Sequence, residues 1–254
     1  MVEEMTTIRP VRVVQISDCH LPGDVGQLFR GIEPHETLRR VMIDVSREQP
    51  DLLLASGDLS EDASAASYRS LSGYLNEAGV PVLALPGNHD DPVLLSEAFD
   101  GSPVETIAVS DHAAWQLIRL NSCLPERPEG RVAEAALDAL EQHLNTQPPG
   151  PTVIALHHHP VLIGSPWIDK YPLLEPQRLL DIIDRHPRIR AVLWGHIHQV
   201  YAAKRGDTHM LGCPSTAING RTSKPRFTPD TLGPSFRWFK LYPDGSIETG
   251  IKSI

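Results

Sequence analysis

Five short polar segments carry the residues able to do chemistry: Asp18-Cys19-His20, Gly57-Asp58, Gly87-Asn88-His89-Asp90, His157-His158-His159-Pro160 and Gly195-His196-Ile197-His198. Carboxylate, imidazole and amide oxygen together suit borderline-hard cations such as Mn²⁺, iron or Zn²⁺. One aspartate can bridge two cations, and two metals about 3.5–4 Å apart form a clamp used in hydrolytic phosphoryl transfer. Each segment alone has a plainer reading. Asp-x-His is common, Gly-Asp ends many strands, Asn forms turns beside a Pro-Gly pair, and a histidine triplet can be a surface patch. Turn chemistry does not explain all five in one chain, each closing an apolar run.

Those runs are the elements that must position the polar residues. Val11–Ile16, Leu52–Ala55, Pro81–Leu85, Thr152–Leu156 and Ile189–Trp194 read as strands. His35–Gln49, Ala63–Ala78, Val132–Leu144 and Leu179–His186 read as helices, with Leu38, Val41, Met42 and Val45 marking the helical spacing of the first. Strands alternating with helices imply parallel βαβ units, whose ligands collect at the carboxyl ends of the strands. The five segments are therefore expected in one crevice. Thr106–Val109 and Trp115–Leu120 read as a hairpin joined by Ser110-Asp111-His112. Val200–Ala203, His209–Cys213, Phe236–Tyr242 and Ser246–Ile251 read as short antiparallel strands, the last two joined at Asp244-Gly245. Gly164–Pro176, with Trp167 and Tyr171, is a loop long enough to border a site, and Asn219–Pro234 is a polar, basic loop.

A length of 254 residues without repeat or linker suits a single domain, 1–254. The net charge of -9 argues against a nucleic-acid partner or an anionic membrane surface. An anionic small substrate stays compatible, because bound cations invert the local field. Cys19, Cys123 and Cys213 form no C-x-x-C pair, which points to a reduced intracellular chain. Met1–Pro10 has no apolar leader core, and no apolar run approaches the ~20 residues that span a bilayer. A cytoplasmic location is expected.

Together the five segments resemble the full signature of the calcineurin-like metallophosphoesterases, spanning Asp18 to His198. Ile197-His198-Gln199, Trp167-Ile168-Asp169, Pro214-Ser215-Thr216 and Phe227-Thr228 through Gly233-Pro234 are similar to the bacterial class III 3′,5′-cyclic AMP phosphodiesterases. That resemblance implies an α/β fold, a four-layer α/β/β/α sandwich, and two divalent or trivalent metal ions. Iron and manganese lead, with zinc or magnesium compatible. Asp18, His20 and His198 would hold one ion; Asn88, one triplet histidine and His196 would hold the other; Asp58 would bridge. The triplet offers two registers: related His-His-Pro-Pro chains favour His157, whereas a His-x-Pro spacing selects His158. Cys19 departs from the Thr or Leu usual at its position and reads as a small buried side chain.

The activity implied is hydrolysis of 3′,5′-cyclic AMP to 5′-AMP by a hydroxide bridging the metals. The cyclic nucleotide would meet His20, Asp58, Asn88, His89, His157 and His198. Asn88 would stabilise charge on phosphorus, and His89 would protonate the leaving 3′ oxygen or else orient the substrate. Asp90 would support the turn or orient His89. A glycerophosphodiester or other phosphoester hydrolase on the same core, and a non-catalytic scaffold of the same fold, are the other readings. Base preference and oligomeric state are not set by these motifs.

Overall fold

The computed structural model describes residues 9–99, 106–148 and 150–254. Most of the N-terminal stretch searched for a leader, residues 1–8, lies outside them. Strands β1 (Val11–Ile16), β2 (Leu52–Ser56) and β3 (Val82–Leu85) alternate with helices α1 (Pro34–Arg47) and α2 (Ala65–Asn76), and α3 (Pro92–Phe99) follows. The second half holds β4 (Ile107–His112), β5 (Trp115–Leu120), α4 (Glu134–Thr146), β6 (Thr152–Ala155), α5 (Gln177–Arg185), β7 (Ile189–Trp194), β8 (Tyr201–Arg205) and β9 (Thr208–Gly212). It closes with β10 (Ser235–Leu241) and β11 (Ile247–Ser253).

Two mixed sheets result, ordered β11-β10-β1-β2-β3 and β4-β5-β6-β7-β9-β8. The strands that deliver the five polar segments pair in parallel within each sheet, β1 with β2 and β2 with β3, then β6 with β7. Side-chain alternation explains why these strands read as continuous apolar runs. Along β2, Leu52 and Leu54 enter a cluster shared with Leu117, Val153, Ala191 and Leu193 of the other sheet. Leu53 and Ala55 point the opposite way, onto Leu38, Val41 and Leu71 of α1 and α2. A third cluster lies between the second sheet and α4 and α5, through Ile154, Val192, Leu140 and Ile183. The layers are helix, sheet, sheet, helix, as the family resemblance implies.

Buried polar side chains fix how the two sheets face each other. Gln15 Nε2 on β1 donates to Ser56 Oγ at 2.9 Å and to the Trp194 carbonyl on β7 at 3.2 Å. Arg237 on β10 donates to the carbonyls of Tyr201 and Gly212, both at 3.0 Å. The Gln15 link sits at the carboxyl ends of β1, β2 and β7. It sets the strand ends that matter next.

Three local readings differ from the structure. Ser110-Asp111-His112 is strand rather than turn: it pairs with Leu117, Gln116 and Trp115, and the reversal falls at Ala113, whose φ is 52°. The C-terminal strands are not all antiparallel, since β9 runs parallel to β7. Helix α3 has no counterpart in the sequence reading. Asp91 starts it, its Oδ1 accepting from the Val93 and Leu94 amides at 2.8 and 3.0 Å, with Pro92 at the first helical position.

Candidate metal centre

The eight candidate residues, at the ends of β1, β2, β3, β6 and β7, meet where the sheets are pinned. Five of them, Asp18, His20, Asp58, His196 and His198, have positive φ between 46° and 65°. Left-handed backbone at a non-glycine residue costs roughly 1–2 kcal/mol, and such strain persists where surrounding contacts over-determine it. The contacts are present. The Asp18 and His20 amides donate to the Gly57 and Asp58 carbonyls, each at 2.9 Å. The His196 amide donates to the Asp18 carboxylate at 3.0–3.1 Å, and Ser215 Oγ donates to the Asp18 carbonyl at 2.8 Å.

Two motif glycines are required by close approach. A Cβ on Gly195 would overlap Ser17 Oγ and come within 2.9 Å of Asp18 Oδ2. A Cβ on Gly87 would overlap the backbone amide and carboxylate of Asp58.

Asp18, His20 and His198 form one cluster of ligand atoms within 4.8 Å of one another. His198 Nε2 lies 3.3 Å from Asp18 Oδ1 and 3.1 Å from His20 Nε2. Each ring's other nitrogen faces a group that can only accept: Glu61 Oε2 at 2.7 Å from His20 Nδ1, and the Ile218 carbonyl at 2.7 Å from His198 Nδ1. A neutral imidazole has one N–H, so both Nε2 atoms turn lone pairs toward each other. Two facing acceptors beside a carboxylate make a cation socket.

A second group surrounds His157, His158 and His196. His157 Nε2, His158 Nε2, His196 Nδ1 and Asn88 Oδ1 are buried without a hydrogen-bond partner. Their opposite ends are held: His157 Nδ1 on the Ser56 carbonyl at 2.9 Å, His196 Nε2 on the Tyr171 carbonyl at 2.9 Å, and His158 Nδ1 beside Ser122 Oγ at 2.8 Å. Metal-ligating histidines are oriented in this way by their second nitrogen. With their other nitrogens on carbonyls, neutral His157 and His196 aim lone pairs beside the Asn88 oxygen, and three unsatisfied buried acceptors in one place would be costly without a cation.

Asp58 stands between the groups. Its Oδ2 is 3.8 Å from His20 Nε2 and its Oδ1 is 3.4 Å from His157 Nε2. Burial pushes its pKa up, yet the neighbouring His157 holds it well below the usual carboxylate range. The donor set therefore fits two cations that share one carboxylate.

A comparison of sequences agrees with this geometry. The sequence model of the family described as Calcineurin-like phosphoesterase matches residues 11–200. The chain belongs to that family. It is 36% identical over 246 residues to the 3′,5′-cyclic adenosine monophosphate phosphodiesterase CpdA of Pseudomonas aeruginosa, covering 96% of this chain and 90% of the relative. A 3′,5′-cyclic-nucleotide phosphodiesterase of Nostoc sp. is 36% identical over 247 residues, covering 96% and 93%. Among solved structures, a dimetal phosphatase from Danio rerio superposes with a TM-score of 0.71 at 14% identity, covering 92% of this chain and 93% of its own. That likeness shows the fold.

In this calcineurin-like phosphoesterase His89 is a member of neither cluster, although its ring stands edge-on to His20 at 4.9 Å and groups with His20 and Glu61. Its ring is half-exposed, with Nδ1 3.2 Å from Glu61 Oε2, and its amide donates to Asp58 Oδ1 at 2.9 Å. Burial works against the charged ring, but Glu61 and Asp58 outweigh it and raise its pKa to about 9. Glu61 is the residue the sequence reading missed. One of its oxygens takes both His20 and His89, and although burial opposes its charge these two rings lower its pKa to about 2. The only signal was position, three residues after Asp58 on the same strand-end loop.

The two roles open for Asp90 are decided. Its carboxylate accepts from the amides of Gly87, Ser60 and Leu59 and from the Tyr68 hydroxyl, at 2.8–3.2 Å, so it supports the turn. Cys19 is fully buried in the core beneath α1 and α2. His159 lies 3.4 Å from Asp169, which in turn caps the Ile163 and Ser165 amides and so secures the loop that carries Trp167. Trp167 itself is buried in the core of the second sheet, yet it borders the cavity of about 140 Å³ above the clusters.

Proposed function

We propose that this chain is a metal-dependent cyclic-nucleotide phosphodiesterase that converts 3′,5′-cyclic AMP to 5′-AMP. The observation that carries the reading is Asp58, with one oxygen toward each of two clusters of imidazole and carboxylate ligand atoms. The names of the relatives at 36% identity give the substrate class. Asp18, His20 and His198 would hold one ion, Asn88, His157 and His196 the other, with Asp58 shared. His157 is chosen over His158 because its Nε2 alone of the pair also falls in the group formed with Asp18 and Asp58.

Iron and manganese suit this mixed imidazole and carboxylate set. When bound, such a pair supplies Lewis acidity at phosphorus and a water ionised near neutral pH. The chain's residues do the rest. Asp58 and Asn88 present oxygens at the base of the cavity and leave the pocket net positive once the cations are in place. A water oxygen bonds to phosphorus and the P–O3′ bond breaks. His89, with Nδ1 held by Glu61, gives the departing 3′ oxygen its proton. The product is a 5′-phosphomonoester. A positioned acid of this kind contributes typically 10²–10⁴-fold.

A substrate panel with Mn²⁺-loaded protein tests the reading. Turnover of cAMP should exceed that of bis(p-nitrophenyl) phosphate and glycerophosphocholine. Faster hydrolysis of glycerophosphocholine or of a phosphomonoester would replace it with the other-phosphoester reading, and no turnover of any phosphoester with any bound metal would leave a scaffold.

A further inference from the structure

The cavity has an outer wall that none of the five metal motifs supplies. Phe29 and Ile32 exchange backbone hydrogen bonds at 2.9 and 3.0 Å, closing a two-residue turn with Arg30 and Gly31 at its tip. Both tip residues have positive φ, 48° and 86°. Such a turn favours Asn-Gly, so arginine at its first position is held against local preference, a pattern that accompanies function.

The turn aims its side chains at the clusters. The Phe29 ring stacks on His20 with centroids 4.1 Å apart and planes 11° apart. Phe227, from the distant loop after β9, stands edge-on to His198 at 6.0 Å. The Arg30 guanidinium bridges them, 4.3 Å from the Phe227 centroid and 5.2 Å from that of Phe29. Arg30 is exposed and, among the described residues, has no carboxylate partner. The Phe227 loop adds Arg221, Lys224 and Arg226, all exposed, with no acidic residue from Ala217 to Pro229 in a chain of net charge -9. Phe29, Arg30 and Phe227 line the same cavity as Asp58 and Asn88.

We propose that the Phe29-Arg30 turn and Phe227 form the base subsite, and that Arg30 is the residue that meets the purine. This rests on the cyclic-nucleotide reading. A guanidinium is a planar array of donors that stacks on π-faces. A purine offers a π-face and, in adenine and guanine alike, an N7 acceptor. The contact therefore selects a purine without distinguishing adenine from guanine, and it acts on binding rather than on the breaking bond.

The test is the affinity of metal-loaded protein for 5′-AMP, 5′-GMP and ribose 5-phosphate, measured by calorimetry. The third shares sugar and phosphate but has no base. Wild-type protein should bind both nucleotides more tightly than ribose 5-phosphate. In Arg30→Ala that advantage should fall on the order of tenfold, as expected for a desolvated cation–π contact. Arg30→Lys keeps the charge without the plane and should lose most of the advantage too. An unchanged ratio in Arg30→Ala, a uniform weakening of all three ligands, or full retention in Arg30→Lys overturns the subsite. Failure of the underlying reading looks different: wild-type protein would cleave bis(p-nitrophenyl) phosphate and leave cAMP intact.

Discussion

His20 and His198 point their Nε2 atoms at each other across 3.1 Å, while Glu61 and the Ile218 carbonyl take the protons on their far sides. Two facing acceptors beside Asp18 repel one another unless a cation lies among them. Metal removal should therefore lower the stability of the whole sandwich, because the clusters join strand ends from both sheets. Chelation followed by dialysis should lower Tm, and Mn²⁺ at 100-fold above its Kd should restore about 2.7 kcal/mol for each occupied site. Calorimetric scans of the two forms check this, and identical melting curves would sink the socket.

Asp58 is expected to be irreplaceable for a geometric reason. One oxygen faces each cluster, so Asp58→Ala removes a donor from both at once. Metal content measured by elemental analysis should fall, and cAMP turnover should fall by more than about a thousandfold, the equivalent of roughly 4 kcal/mol of barrier. Retention of two metals per chain would show that Asp58 does not bridge.

His89 should behave differently. It touches Asp58 only through its backbone amide, and its ring is turned to Glu61 and the cavity. His89→Ala should keep its metal and lose about 10²–10⁴-fold in kcat, the range for general acid catalysis. Loss of metal as complete as in Asp58→Ala would make His89 a support for the clusters instead of a proton donor.

Glu61 gives a pH test. His89 faces Asp58, Glu61, His20 and His157, and Glu61 and Asp58 favour its charged form against burial and the neighbouring histidine. A raised pKa keeps the proton available up to that pKa and loses it above. Glu61→Gln removes the anion and lowers the pKa of His89, so the alkaline fall in kcat should move to lower pH. A pH–rate profile reads the shift; an unmoved alkaline limb removes His89 from the rate equation.

Much of this was legible in the sequence because the strands that matter are buried on both faces. Leu52, Leu53 and Leu54 serve two different cores, which produces an unbroken apolar run with a sharp polar end. The rest depends on contacts between positions far apart in sequence. Glu61 is one acid in a Glu61-Asp62 pair until folding brings His89 beside it, and Arg30 meets Phe227 across almost the whole chain. Helix α3 was missed because eight residues show little periodicity, although Asp91-Pro92 was a readable start signal.

Gly195 links the fold to the chemistry. It sits between Trp194, whose carbonyl receives Gln15, and His196, whose amide holds the Asp18 carboxylate. Adding one methyl group pushes on Ser17 Oγ, on the Ser56 carbonyl and on Asp18. None can retreat, because Ser17 Oγ is bonded to the Ser56 carbonyl at 3.1 Å and Asp18 is fully buried. Gly195→Ala should therefore cost about 1–3 kcal/mol, the range for overpacking a tight core, and should displace Asp18 and His196 together. Urea unfolding and metal titration of the same variant separate the two effects. Normal stability with normal metal affinity would mean that the strand ends yield more easily than their contacts indicate.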